Sequence, residues 1–262
     1  MHRLRWLTLL LLACAGCGDA QRSSSQPSGS KLSLREARRG FQTKLLRRES
    51  AGVPVPEPPP GVLRIVKFGS PVGQLAAYLS PDPRDGKKHP AIIWITGGDC
   101  NTIDQVWEDA PAENDQTASA FRKAGIVTMY PSLRGGNDNP GVKEGFFGEV
   151  DDVLAAAEYL ARQDFVDPQR IYLGGHSSGG TLVLLVAECS DRFRAIFSFG
   201  PALDVRLYPA LCPFDRANER EFLLRAPAEW LDSIRNPTFV LEGDFDIWIP
   251  RLKEKTHNPN VW

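Results

Sequence analysis

The chain has 262 residues, enough for one large domain with a sizeable core, and its hydrophobic fraction of 42% is ordinary for a globular protein. The formal net charge of −1 excludes the strongly basic balance that would indicate a nucleic-acid partner. The 5 cysteines are scattered, with neither a disulfide framework nor zinc-ligand spacing, so the sequence indicates no metal and no other cofactor.

The N-terminus has the pattern of an export signal. A basic start precedes an apolar run from Trp6 to Ala13, which is too short to span a bilayer in the usual way. The run leads to Ala15-Gly16-Cys17, which resembles a bacterial lipoprotein box with Cys17 as the lipidated residue. Cys14 stands where leucine is commoner, so a plain signal peptide cleaved nearby is the alternative. We expect residues 1–16 to be removed and Cys17 to hold the protein on the periplasmic or cell-surface side of a membrane; without lipidation, it would be periplasmic or secreted.

A tether, a short basic helix and a linker are predicted next, over residues 17–60. Residues 19–30 are polar and rich in serine, as in flexible tethers. Ser33 and Glu36 have capping-box spacing, and the apolar residues through Leu45 fall on one helical face. The basic face of this helix either lies on an anionic membrane surface or is solvated. Residues 54–60 are mostly proline and predict an extended linker.

From Gly61 to Trp262 the pattern predicts a single α/β domain. An antiparallel pair of strands comes first, and apolar strands then alternate with helices. Such uninterrupted apolar strands are typical of a mostly parallel sheet that helices cover on both faces. Residues 201–230 are irregular and predict a cap-like insertion. The predicted strands are 63–68, 74–79, 91–96, 126–130, the run before Ser177, 195–199 and 238–242, and the main helices are 117–124, 149–163 and the one after Ser177.

The strongest motif is Gly175-His176-Ser177-Ser178-Gly179, which lies between an apolar strand and a buried helix. A serine in this context sits on a sharp strand-to-helix turn that exposes its hydroxyl at the top of the sheet. Small neighbours are needed because the helix packs close to the strand. We therefore interpret Ser177 as a nucleophile, and the alternative is a glycine-rich turn with an idle serine.

Two other strand ends carry candidates for the same chemistry, because the sites of open α/β sheets lie beyond the carboxyl ends of strands. A hydrolase needs N–H donors for the oxyanion: one is expected at Ser178, and the other in Gly97-Gly98-Asp99, from Gly98 or Asp99. The strand ending at Glu242 is followed by Asp244 and Asp246. Either aspartate would orient a general-base histidine.

Further motifs carry a resemblance to a known family. They are an arginine-glycine-glycine loop in Pro131–Gly136, the helix start Glu149–Val153, the segment Val166–Ile171 before the nucleophile strand, and the acid-bearing strand Pro237–Asp246. With the serine motif, they make the region from Gly61 onward resemble the α/β-hydrolase fold and, more closely, the catalytic domain of the prolyl oligopeptidase family.

The resemblance implies a serine hydrolase that acts on peptide, ester or similar acyl bonds, with Asp246 as the acid. Dienelactone-hydrolase-like or carboxylesterase-like chemistry is an alternative. The partner is then a small peptide or ester substrate, and Arg134, Asp99 and Arg206 are candidates for contacts with its charged groups.

The sequence offers no histidine that clearly fits the position of the general base for Ser177. His89 precedes its strand and so lies at the wrong end of the sheet, and the side chain of His176 is expected to point away from the hydroxyl of Ser177. His257 alone follows the acid, but the family usually leaves room there for a helix and a final strand. Residues 260–262 look like the beginning of that strand. We therefore expect a hydrolase domain that lacks its last strand, last helix and catalytic histidine; the alternatives are recruitment of His257 and a binding lipoprotein without turnover.

Overall fold

The computed structural model describes residues 32–108, 110–111, 115–243 and 248–262. The predicted signal peptide, Cys17 and the tether lie outside the described residues. The sheet has seven strands in the order β1-β2-β4-β3-β5-β6-β7, and β3 to β7 run parallel while β1 and β2 are antiparallel to their neighbours. The predicted fold class is confirmed. The strands are β1 (Arg64–Ser70), β2 (Gly73–Leu79), β3 (His89–Ile95), β4 (Val127–Pro131), β5 (Val166–His176), β6 (Ile196–Phe199) and β7 (Thr238–Leu241).

Helices lie on both faces of the sheet. The helices α3 and α4 pack on one face through fully buried apolar residues such as Leu160 and Val183, and α2 lies on the other, where Trp94 is buried. Among the described helices, none has the length and apolar character needed to cross a bilayer. The helices are α1 (Leu34–Arg38), α2 (Ser119–Lys123), α3 (Glu149–Ala161), α4 (Ser178–Cys189), α5 (Glu219–Leu223) and α6 (Trp248–Lys255).

The segment before Gly61 differs from the prediction. Ser33 and Glu36 form the capping box, but α1 ends at Arg38, because Gly40 turns the chain with a φ of +72°. Beyond this turn the chain is extended, and Leu45 pairs with Phe214. Leu34 is fully buried in the core, so contacts extend the compact unit to Leu32, whereas the sequence predicted its start at Gly61.

Two other boundaries shift. The strand β5 begins at Val166, at the start of the segment Val166–Ile171 that the sequence placed before the nucleophile strand, because Val166 pairs with His89 of β3. The segment between β6 and β7 is built from α5 and four short 3₁₀ helices; its role as a cap-like insertion stays a prediction. The 3₁₀ helices are Val205–Leu207, Pro209–Leu211, Pro227–Glu229 and Leu231–Ser233.

The core contains an unusual acid, Glu188 of α4. It is 2% exposed, and neither carboxyl oxygen has a hydrogen-bond partner among the described residues. Burial raises the pKa of Glu188 well above its ordinary value of 4.5. The unfolded chain releases this proton near the ordinary value while the folded chain keeps it, so the free energy of unfolding falls as the pH rises above about 4.5.

We expect Glu188→Leu to raise the free energy of unfolding at pH 7 by about 1–3 kcal/mol, the cost of burying a polar group that has no hydrogen-bond partner. The gain should be smaller at pH 5 than at pH 7. Urea denaturation at the two pH values measures both effects. The exposed Glu254 of α6 offers a matched Glu→Leu control, expected to change stability by less than about 0.5 kcal/mol. An equal effect of Glu188→Leu at both pH values would contradict the assignment.

Candidate active site

The turn between β5 and α4 holds Ser177 in a strained conformation. Its φ of 55° and ψ of −119° lie in a region that residues other than glycine rarely adopt, at a cost of about 1–3 kcal/mol. The backbone is fixed on both sides: the N–H of Ser177 donates to the carbonyl of Phe199 (2.8 Å), and its carbonyl accepts from the N–H of Thr181 (2.9 Å). Ser177 therefore stands at the carboxyl end of β5, at the position of a nucleophile elbow.

Close packing explains the glycines around Ser177. A Cβ atom on Gly179 would lie 2.3 Å from the carbonyl oxygen of Ile95, and one on Gly175 would lie 2.6 Å from the carbonyl oxygen of Gly179. Both obstacles are backbone atoms, so they cannot move aside as a side chain would. The helix α4 thus approaches β3 at a distance that only glycine permits.

We expect Gly179→Ala to force α4 away from β3 and to cost about 1–3 kcal/mol of stability, as overpacking of a core does. It should also slow any reaction at Ser177 by about a hundredfold, because a displacement of about 1 Å in a reacting group has such effects. The control is Gly69→Ala in β1, where the nearest atom to the new Cβ lies at an ordinary 3.5 Å. The melting temperature and the rate of labelling by a fluorophosphonate, which reacts with nucleophilic serines, are compared for the two variants. Equal melting temperatures and equal labelling rates would contradict the packing argument.

The loop after β3 lies directly against Ser177. A Cβ atom on Gly97 would lie 3.5 Å from the Cβ of Ser177. The hydroxyl of Ser178 donates to the carbonyl oxygen of Gly98 (2.7 Å), which ties the loop to the first turn of α4. Gly98 has a φ of +80°, which suits glycine. The structure thus brings together Ser177, Ser178 and Gly98; the donor roles of the amides of Ser178 and Gly98 stay a prediction.

The carboxylate of Asp99 forms hydrogen bonds within this loop and an ion pair with Lys143. It accepts from the N–H groups of Asn101 (3.1 Å) and Thr102 (2.9 Å), and from the ammonium of Lys143. Burial raises the pKa of Asp99, but Lys143 and the donors of Thr102 outweigh it and hold that pKa below its ordinary value. The charged carboxylate therefore closes the loop, and the suggestion that it meets a substrate charge finds no support in these contacts.

The arginine-glycine-glycine loop packs against the loop after β3 and holds it through Asn101. Arg134 is 5% exposed, and its guanidinium binds Asp152 (2.9 Å) and Glu144 (2.6 Å), so the suggestion that it meets substrate is wrong. Its carbonyl oxygen accepts from the side-chain amide of Asn101 (2.7 Å). A Cβ on Gly136 would overlap the carbonyl oxygen of Asn101. The role of Asn101 carries no motif in the sequence, and only its position three residues after Gly98 indicates it.

Arg206 is likewise engaged within the protein. Its guanidinium pairs with Asp204 and Glu219 and lies 4.1 Å from the centre of the Phe222 ring. These contacts hold the cap segment together across α5. The suggestion that Arg206 meets a charged group of the substrate therefore gains nothing from the structure.

The described histidines do not provide a base for Ser177. His89 is the first residue of β3 and pairs with Asp85, at the amino end of the strand as expected. Val261 pairs in parallel with Thr238, the first residue of β7, so residues 260–262 extend the sheet as predicted. His257 comes just before them and is exposed at the amino ends of the parallel strands, whereas Ser177 follows a carboxyl end.

His176 lines a cavity on the α2 face of the sheet. The cavity has a volume of about 460 Å³, and Trp94, Phe121 and Phe199 form much of its wall. Burial lowers the pKa of His176, which favours the neutral ring. The imidazole Nδ1 is buried and has no hydrogen-bond partner among the described residues. His176 is therefore part of the wall of this cavity, on the α2 face of the sheet.

The predicted acid is not placed. Asp244 and Asp246 lie outside the described residues, so the choice of Asp246 stays a prediction. Gly243 is described, and it follows the carboxyl end of β7. Because β7 runs parallel to β6 and β5, this end lies on the same side of the sheet as Ser177. Among the described side chains, no group of three or more histidine, cysteine, aspartate or glutamate residues is arranged to hold a metal ion.

The sheet order, the strained serine between β5 and α4 and the glycine loop after β3 define an α/β-hydrolase fold of the serine-hydrolase class. Residues 113–250 match the model of the prolyl oligopeptidase family, and the chain belongs to that family. The relatives are hydrolases of peptidase and esterase type.

Curated relatives match over parts of their length. Rat S-formylglutathione hydrolase is 26% identical over 180 residues, which cover 60% of each chain. Dipeptidyl-peptidase 5 of Porphyromonas gingivalis is 24% identical over 193 residues, which cover 65% of this chain and 28% of that one. Human dipeptidyl peptidase 8 is 31% identical over 134 residues, 47% of this chain and 14% of the relative. The chain therefore spans less than two thirds of each of these relatives.

Solved structures agree on the fold. A puromycin-hydrolyzing peptidase of Mycobacterium tuberculosis superposes with a TM-score of 0.60 at 21% identity, over 74% of this chain and 33% of that one. An esterase of Pyrobaculum calidifontis gives a TM-score of 0.56 at 17% identity, over 74% and 70% of the two chains. At these identities the likeness establishes the fold alone.

Proposed function

We propose that the protein is an exported, lipid-anchored serine hydrolase that cleaves peptide or ester acyl bonds through an acyl-enzyme at Ser177. The observation that carries the proposal is the strained φ of Ser177 next to a glycine loop that leaves room beside its side chain. Backbone strain of this kind persists only where surrounding contacts impose it, and it clusters at functional sites. Lipidation of Cys17 is the route to the membrane.

In the proposed mechanism the hydroxyl oxygen of Ser177 attacks the acyl carbonyl carbon, and a general-base histidine other than His89, His176 and His257 accepts the hydroxyl proton. The N–H groups of Ser178 and Gly98 donate to the oxyanion of the tetrahedral intermediate. Asp246 orients the histidine and stabilises its charged form. The intermediate collapses as the leaving group takes the proton, and water then releases the acid from the acyl-enzyme by the same route.

A second candidate function rests on the histidines. His89 and His257 lie at the amino ends of the parallel strands, whereas Ser177 lies at their carboxyl ends. His176 lines the cavity beside Trp94. A chain in which no histidine reaches Ser177 would bind an acyl substrate without turnover, as a hydrolase-fold binding lipoprotein. The two candidates differ in one measurable property, the nucleophilicity of Ser177.

The substrate class follows from the relatives only as a proposal. Dipeptidyl peptidases and a puromycin-hydrolyzing peptidase favour a peptide or amide bond, whereas S-formylglutathione hydrolase and the esterase favour a thioester or ester. The shared chemistry is attack on an acyl carbonyl, which the site around Ser177 suits. A panel of aminoacyl amides and short-chain esters distinguishes the two classes.

The deciding experiment is reaction of the purified full-length protein with a fluorophosphonate probe, followed by mass spectrometry of the labelled peptide. We expect one adduct, on Ser177, with heat-unfolded protein as the control. Labelling supports the hydrolase. Substrate binding without labelling supports the binding protein instead and refutes the proposed reaction.

A further inference from the structure

A cleft of about 530 Å³ lies between α1, α3 and α4, on a surface that the proposed reaction does not use. Its lining includes Arg35 and Arg38 of α1 and the C-cap residue Arg39, and Asp151 is the acidic residue of the lining. The cleft lining is thus positively charged overall in a chain whose formal net charge is −1. This concentration of positive charge requires an explanation.

One of the three arginines is used to build the cleft. Arg38 donates to the carbonyl oxygen of Phe147 (3.0 Å) and pairs with Asp151 (3.1 Å), and its guanidinium lies 4.4 Å from the centre of the Phe147 ring. Arg35 and Arg39 are exposed, and neither forms an ion pair with another described residue. Arg38 therefore neutralises the acid, and two cations are left to meet a ligand.

Apolar side chains complete the lining of the cleft. They belong to Phe41, Phe147 and Leu154, beside Cys189 at the end of α4. The apolar face of α1 does not compete for a ligand, because Leu34 and Ala37 are buried in the core. A ligand that fits this lining has an anionic group for Arg35 and Arg39 and some apolar atoms for the neighbouring side chains. A phospholipid headgroup with the first part of its acyl chains has this chemistry.

The position of the cleft along the chain favours a membrane as the source of that ligand. Residues 32–48 hold six basic residues against the single acid Glu36, and Leu32 is 57% exposed at their start. Leu32 follows Cys17 by fifteen residues, and fifteen residues reach at most about 50 Å in any conformation. A lipid on Cys17 would therefore keep this surface close to the bilayer.

We propose that this cleft, which we name the arginine cleft, binds the phosphate headgroup of an anionic lipid and so fixes the orientation of the domain on the membrane. The proposal rests on the export and anchoring part of the proposed function and is independent of the chemistry at Ser177. Each basic residue at an anionic surface adds to the binding, and the attraction is screened by salt.

The test uses the full-length chain carrying Cys17→Ser, so that the anchor makes no contribution. Flotation measures binding to phosphatidylcholine vesicles with and without phosphatidylglycerol. We expect binding only when phosphatidylglycerol is present, and at least about tenfold weaker binding for Arg35→Gln/Arg39→Gln. The matched control is Arg64→Gln/Arg162→Gln, which removes two arginines from a cleft of about 610 Å³ elsewhere on the domain.

Three outcomes would overturn the proposal: equal binding to both kinds of vesicle, equal losses for the two double variants, or stabilisation against thermal unfolding by inorganic phosphate without any binding to phosphatidylglycerol vesicles, which would indicate a free phosphate as the ligand. Thermal unfolding of each variant checks folding. Fluorophosphonate labelling of the same preparations reports the catalytic proposal separately, and failure of one proposal therefore leaves the other measurable.

Discussion

Ser177→Ala is expected to abolish labelling by a fluorophosphonate and to lower any acyl-transfer activity at least about a thousandfold, because the nucleophile is lost while the amide donors remain. The same change should leave folding intact or make the protein slightly more stable. Alanine is no better suited than serine to the φ of 55° at this position, but the backbone bonds to Phe199 and Thr181 do not involve the side chain.

The control for this variant is Ser190→Ala, which removes a serine hydroxyl directly after the other end of α4. That variant should label at the rate of the unaltered protein. Labelling rates from gel fluorescence and the modified residue from mass spectrometry decide the matter together. Persistent labelling of Ser177→Ala at another residue would contradict the assignment of the nucleophile, whatever the activity of the chain.

The elbow and the sheet around it were predictable because their signals are local. The glycines beside Ser177 reflect a close approach of α4 to β3, and apolar strands separated by helices specify a mostly parallel sheet almost alone. The capping box of α1 was visible for the same reason, since Ser33 and Glu36 are three residues apart. Interactions between residues that are close in the chain can be recognised in the sequence from the residue types and their spacing.

What the sequence did not reveal depends on residues far apart in the chain. Arg134 follows a strand end and so seemed available to a substrate, but Asp152 and Glu144 bury its charge. Asn101 carries no motif, and its part in holding the loop after β3 depends on Arg134, over thirty residues away. Likewise, the turn at Gly40 ends α1 early because tertiary contacts of Leu45 with Phe214 favour an extended chain.

The second large effect is expected at Arg225, which is fully buried in the cap together with Glu221. Its guanidinium bonds to Glu221 (2.6 Å), to the hydroxyl of Thr43 (2.7 Å) and to the carbonyl oxygens of Gly145 (2.7 Å) and Glu144 (3.0 Å). This one side chain therefore connects α5, the segment after α1 and the loop that contributes Glu144 to Arg134.

Arg225→Met should lower the free energy of unfolding by about 3–5 kcal/mol, because it leaves the buried carboxylate of Glu221 without its cation. Since a whole domain is stable by only about 5–15 kcal/mol, the loss should be plain in urea denaturation. The control Arg216→Met removes an exposed arginine of the same cap segment and should cost less than about 0.5 kcal/mol.

The double variant Arg225→Met/Glu221→Leu separates the ion pair from the packing around it. If the cost of Arg225→Met comes from an uncompensated charge, removing that charge as well should restore much of the lost stability, as when buried ion pairs are replaced together by apolar residues. A double variant less stable than Arg225→Met would instead show that the bonds which Glu221 accepts from the hydroxyl of Thr43 (2.8 Å) and the N–H of Lys44 (2.7 Å) are what join the N-terminal segment to the cap.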